Sequence, residues 1–127
     1  MSLEAGLVIV SGLPAYLHLP AGRSAVALPD SRDLWEVLWK HRLEKDLGFA
    51  HSHPGSGAPL PSHTDLTTFA AIESGLGRRL RWWITSADTT TELEWRGPDR
   101  LFYRTYLILK QPFWIPLLRK HSEGEQP

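Results

Sequence analysis

Residues 51–65 dictate how the chain must turn. They read His51-Ser52-His53-Pro54, continue through a segment 54–61 that holds three prolines and two glycines, and end in Ser62-His63-Thr64-Asp65. Prolines and glycines at that density exclude both a helix and a central strand, so 54–61 is a loop. Ahead of it, Phe49 to His53 reads as a strand, whose period of two sends both imidazoles to one face and Ser52 to the other. Behind it, Ser62 followed three residues later by Asp65 resembles a capping box, so a helix starts there. Two imidazoles at a strand end and a carboxylate in the next helix's first turn form a three-ligand set that suits zinc and leaves a fourth position for water. Such water loses a proton near neutral pH, which is hydrolytic chemistry. The plainer alternative is that Asp65 only caps its helix while the histidines serve packing.

The flanking sequence supplies more strands and helices. Leu7-Val8-Ile9-Val10, closed by Ser11-Gly12, reads as a buried strand. Ala15 to Leu19 and Ala25 to Leu28 read as a second and a third, punctuated by Pro14, Pro20 and Pro29. Asp30 or Ser31 caps a helix expected to run to about Leu47, with Leu34, Leu38 and Leu43 as its apolar stripe and Gly48 as its stop. Leu66, Phe69, Ala70 and Ile72 give the helix after Ser62 its buried face, and Gly75 and Gly77 end it. Leu80 to Thr85 and Glu92 to Arg96 read as strands, with the Trp82 and Trp83 rings on opposite faces. Leu101 to Leu109 reads equally as strand or helix. Phe113-Trp114-Ile115 is either an interface or an element closing the core. The expected architecture is mixed α/β (α+β), a largely antiparallel sheet between helices.

Size and composition narrow the function classes. The chain has 127 residues, 42% of them hydrophobic, a formal net charge of zero and no cysteine. The length suits one domain, here 1–118, with 119–127 expected to be a polar, disordered tail. Zero net charge gives no steering toward nucleic acid or an acidic membrane. The lack of cysteine excludes disulfides, a thiol nucleophile and any Cys-ligated metal, and it is compatible with the cytoplasm. No signal peptide pattern opens the chain, and Tyr106 to Leu118 is too interrupted to span a bilayer. Oligomeric state is left open.

A hydrolytic zinc site also needs a general base. Glu4, ahead of the first strand, is one candidate; Glu36 and Glu44 are others, although both suit the solvated face of an amphipathic helix. Among the remaining histidines, His63 lines the loop or faces solvent, and His18, His41 and His121 have no spacing partners and are read as non-ligands.

Taken together, His51-Ser52-His53-Pro54 and Ser62-x-x-Asp65 resemble the signature of the JAB/MPN (JAMM) metalloproteases: an upstream Glu, His-(Ser/Thr)-His-Pro, a short loop, and Ser-x-x-Asp. The flanks agree, with Gly48-Phe49-Ala50 entering the motif, Gly55-x-Gly57 after the proline, Asp65-Leu66 opening the helix and Trp83-Ile84-Thr85-Ser86 as the following strand. The likeness runs from Glu4 to about Arg96. It departs in two places: the loop 54–61 has eight residues where the family usually has seven, and the helix that usually precedes the Glu is missing, which leaves Glu4 expected to be weakly anchored. The resemblance implies a cytidine-deaminase-like layering, one Zn²⁺ held by His51, His53 and Asp65 with water as fourth ligand, Glu4 as the base in preference to Glu36 or Glu44, and Ser62 as oxyanion donor. The chain looks like the small prokaryotic members, and the implied function is a zinc-dependent peptidase or isopeptidase. The implied partner is a peptide or the C-terminal tail of a ubiquitin-like or sulfur-carrier-like protein. Two alternatives stand beside it: a non-catalytic scaffold of the same fold, and a zinc amidohydrolase acting on a small molecule.

Overall fold

The computed structural model describes residues 3–123. Its elements are β1 (Gly6–Val10), β2 (Leu13–His18), α1 (Arg32–Lys40), β3 (Leu47–Ser52), α2 (His63–Leu76), β4 (Arg81–Thr85), β5 (Thr90–Trp95), β6 (Tyr103–Ile108) and α3 (Ile115–Ser122). The strands form one six-stranded sheet in the order β2-β1-β3-β4-β5-β6. Every adjacent pair is antiparallel except β3 and β4. A parallel pair cannot be joined by a hairpin, and α2 is the crossover that joins this one. The fold is mixed α+β. None of the described helices is long and apolar enough to cross a membrane.

Alternation along the strands divides the core between the two faces. Val8, Phe49, Trp82, Ile84 and Leu93 pack with Leu34 and Leu38 of α1 and with Phe69, Ile72 and Leu76 of α2. Their neighbours Leu7, Ile9, Ala50 and Trp83 face the other way, onto Trp114, Ile115 and Leu118. Trp82 and Trp83 therefore serve opposite layers, as expected from their adjacency. Phe69 stacks on Trp82 with ring centroids 4.2 Å apart, which fixes α2 against the sheet.

Four sequence expectations are corrected. Residues 25–28 form no strand: Ser24 N–H bonds Ala27 O at 2.9 Å across a bend, and Val26 is 88% exposed. A short apolar run without a sheet partner gains nothing from an extended ladder. Helix α1 stops at Lys40 rather than near Leu47, because Leu47 is needed as a fully buried strand residue and Leu43 projects into solvent. Gly48 is a strand glycine, not a helix stop: a Cβ there would lie 2.4 Å from the Trp83 ring and 2.7 Å from Arg81 O. Residues 119–122 belong to α3, since Ile115, Leu118 and Ser122 form a buried stripe at helical spacing and Arg119, Lys120 and His121 suit the negative end of the helix dipole. Residues 124–127 of the expected tail lie outside the described residues. The undecided 101–109 segment is the edge strand β6, and Trp114 and Ile115 close the core.

A buried carboxylate ties α2 to β4, the residues leading into it, and β6. Glu73 accepts from Leu80 N–H at 2.8 Å, Trp82 Nε1–H at 3.0 Å, Arg79 Nη1–H at 3.0 Å and the Tyr103 hydroxyl. Burial, and then the Glu73 contact, push the Tyr103 hydroxyl well above its usual range. Glu73→Ala would strand these donors, and the expected loss is roughly 3–5 kcal/mol. Urea unfolding of Glu73→Ala against wild type checks this; a loss below about 1 kcal/mol contradicts it.

Candidate metal centre

The site is assembled by strand register. Gly6 pairs with His51 and Val8 with Phe49 in the antiparallel β1–β3 ladder. Ser52 N–H bonds Ala5 O at 3.0 Å, which carries the register past the strand end and sets Glu4 opposite His53. Period two then puts Glu4, Gly6, His51 and His53 on the face covered by α2. Gly6 keeps that face open: a Cβ would lie 2.4 Å from the Phe49 ring. Ser52 points to the other layer, where its hydroxyl accepts from Ala5 N–H at 2.9 Å and donates to Ser122 Oγ at 2.8 Å.

The loop delivers Asp65 from the opposite side. Ala87 N–H bonds Gly55 O, Gly57 N–H bonds Asp88 Oδ1, Ser86 Oγ–H bonds Gly57 O, and Thr91 Oγ1–H bonds Pro59 O, at 2.7–3.0 Å. These clamps hold the eight-residue loop against the β4–β5 turn and the start of β5. Ser62 Oγ accepts from Asp65 N–H at 3.0 Å, and Asp65 Oδ2 accepts from Ser62 N–H at 2.9 Å, completing the capping box. Asp65 is thus held by its own helix before it meets the histidines.

His51 Nε2 and His53 Nε2 lie 3.0 Å apart. Asp65 Oδ1 is 3.3 Å from His51 Nε2, and Asp65 Oδ2 is 3.0 Å from His53 Nε2. Hydrogen bonds alone do not satisfy this triangle. Each Nε2 offers one in-plane direction, either a proton or a lone pair. If both rings donate to Asp65, two N–H groups face each other; if one ring donates to the other, an Asp65 contact is left without a proton. A cation among the three groups removes the conflict. Neighbouring ligand atoms around a four-coordinate zinc stand roughly 3.3 Å apart, given bonds of about 2.0–2.1 Å. The donor set and its spacing therefore fit such an ion.

Glu4 is the second carboxylate at this centre. It is only 6% exposed, and it offers an oxygen that lies, with a ring nitrogen of each histidine, in a group spanning at most 4.8 Å. Glu4, His51 and His53 could thus also hold a metal. Asp65, in direct contact with both imidazoles, is the alternative third ligand. Glu4 is firmly placed, against the expectation of weak anchoring: its N–H bonds Ser24 O at 2.7 Å, Leu3 N–H bonds Ser122 O at 2.9 Å, and Arg23 Nη1–H reaches Glu4 O at 3.3 Å and His121 O at 3.0 Å. Burial raises the Glu4 carboxyl above its ordinary value, opposed by the two imidazoles and reinforced by Asp65. Burial would also raise Asp65, but hydrogen bonds from His51 and His53, the His51 charge and the Ser62 N–H together hold it far below the usual range. For His53, burial works downward and is outweighed by Asp65 and Glu4, leaving it raised.

Glu36 and Glu44 take no part in the cluster; Glu36 pairs with Arg32 on the exposed side of α1. His63 starts α2 in an exposed position, and His41 and His121 also stay outside. His18 is no ligand here either, but it has a role that lack of a spacing partner concealed. It is buried beside the site, and since Pro29 O can only accept, His18 Nε2–H donates to it at 2.7 Å. Ser86, Asp88 and Ser122 were equally invisible, because their partners are distant in sequence. No protein-family model, curated protein or solved structure matches the chain.

In EDTA, the raised His53 contributes stability that is full below about pH 6.5, the unfolded value, and lost as pH rises through its folded value. The metal-stripped protein is therefore expected to lose stability between pH 6.5 and 8.5, and His53→Ala to lose less over that interval. Saturating zinc should reverse the slope, because imidazole must be deprotonated to bind it. Urea unfolding at the two pH values reads all three; parallel behaviour of wild type and His53→Ala would contradict the Asp65–His53 coupling.

Proposed function

We propose that the chain is a zinc-dependent peptidase or isopeptidase of the JAB/MPN type. The observation that carries this reading is the convergence of His51 Nε2, His53 Nε2 and the Asp65 carboxylate, with Glu4 facing the same space from across the β1–β3 ladder. Helices on both faces of the sheet, and α2 entering through Ser62, are in keeping with the layering expected of that family.

His51, His53 and Asp65 would hold the zinc. When bound, zinc supplies a water acidified toward neutral pH and polarises the scissile carbonyl. Glu4 takes the proton and returns it to the leaving amine; a carboxyl raised by burial is suited to both tasks near neutrality. Ser62 lines the cavity beside Asp65, and its capping bond uses an oxygen lone pair, so its hydroxyl proton is available to a developing oxyanion. Asp65 fixes the imidazoles from a helix start that is itself capped. The substrate is a peptide, or the tail of a ubiquitin-like or sulfur-carrier-like protein. The absence of cysteine accords with work in the cytoplasm.

Metal analysis and cleavage of a tail-fused reporter test the reading. Wild type should carry one zinc per chain and cleave; His53→Ala should lose zinc. Glu4→Gln should keep zinc and lose at least ~100-fold in kcat. Ser62→Ala should keep zinc and lose roughly 100-fold. Failure of metal-replete wild type to hold zinc would end the proposal, and full cleavage by Glu4→Gln would remove Glu4 as base.

A further inference from the structure

The metal cluster sits at one end of a cavity of about 600 Å³, a size typical of small-ligand pockets. Glu4, His51, Ser62 and Asp65 supply its polar end. Most of the rest is an apolar slot, with Phe49, Phe69 and Trp82 on one side and Leu28, Trp35 and Ile72 on the other, while His18, Asp30, Thr64 and Thr68 add polar points to the lining. A second cavity of about 550 Å³, at the far end of α2, shares none of these residues.

The wall is fixed at both ends rather than loose. Ser24 O accepts the Glu4 N–H at one end, and Pro29 O accepts His18 Nε2–H at 2.7 Å at the other. Trp35 Nε1–H then donates to Asp30 Oδ2 at 3.0 Å, locking the indole that closes the slot. The segment 24–30 thus does what a strand at 25–28 would not: it stands off the sheet and leaves a gap beside the reactive groups.

We infer that this slot is a specificity pocket for a large apolar or aromatic side chain flanking the scissile bond. The inference rests on the hydrolase reading above and narrows its substrate class. A glycine-ended tail would leave the slot empty. A phenylalanine or leucine side chain would bury its surface there, and the expected preference over glycine in kcat/KM is about 10- to 100-fold. The carboxylates near the slot disfavour an acidic side chain.

Two arms test it separately from the hydrolase reading. With zinc-loaded protein, peptides that differ only in Phe, Leu, Gly or Asp on either side of the scissile bond should show that preference on one side. Ala71→Trp, which fills the slot from the exposed face of α2, should abolish the preference with zinc content unchanged. With EDTA-treated protein, N-acetyl-L-phenylalaninamide should shift the Trp35 indole N–H resonance saturably and N-acetylglycinamide should not; Ala71→Trp should lose the shift. Equal cleavage of Phe and Gly peptides, or equal shifts by the two amides, overturns the pocket assignment. Selective shifts by a protein that hydrolyses nothing leave the pocket standing and overturn the hydrolase reading alone.

Discussion

The antiparallel register of β1 against β3 is the constraint on which the site depends. With Gly6 opposite His51, the two strand ends carry Glu4 and His53 past the last ladder pair as neighbours on one face. A slip of one residue would turn one pair to the opposite layer. The register is secured from both sides. Val8 and Phe49 are buried under α1 and α2, while Leu7, Ile9 and Ala50 are buried with Trp114, Ile115 and Leu118. Ser52 adds a polar lock, joining Ala5 N–H to Ser122 and so tying α3 to the base of the site.

Asp65 reaches the histidines by an independent route. Its position follows from the Ser62 capping box and from the clamps that Ser86, Asp88 and Thr91 place on the loop. Two separately stabilised pieces of chain therefore meet where two ring nitrogens and the two oxygens of one carboxylate lie 3.0–3.3 Å apart. The close approach of Asp65 to both rings and the low carboxyl value that results are two views of the same geometry. Preorganisation of this kind limits the rearrangement needed on metal binding, and it places the strain of a metal-free state on the imidazole protons.

Much of this was legible in the residues, for identifiable reasons. The strand 49–53, the loop and the helix start at Ser62 are local signals: period two, proline and glycine density, and Ser-x-x-Asp. They place His51 and His53 on one strand face and Asp65 in the first turn of the next helix, while the clamps that close the loop are long-range. Glu4 was a different matter, since only the resemblance preferred it over Glu36 and Glu44; its place depends on a ladder that local pattern does not specify. Gly48 misled because a glycine after an amphipathic run looks like a helix stop, whereas its real constraint is the Trp83 ring. Residues 25–28 misled because four apolar residues carry no sign of whether a sheet edge awaits them. The polar count of 119–122 hid a buried stripe with one residue per turn. Glu73 and His18 were unreadable, because a buried polar group is explained by its partners and those partners lie elsewhere in the chain.

In the proposed centre Asp65, rather than Glu4, completes the ligand set. Optical titration with cobalt(II), whose visible bands report coordination number, tests it most directly. One tetrahedral cobalt per chain is expected in wild type and in Glu4→Gln, and loss of that spectrum in Asp65→Ala. Retention of the tetrahedral spectrum in Asp65→Ala with its loss in Glu4→Gln would contradict it.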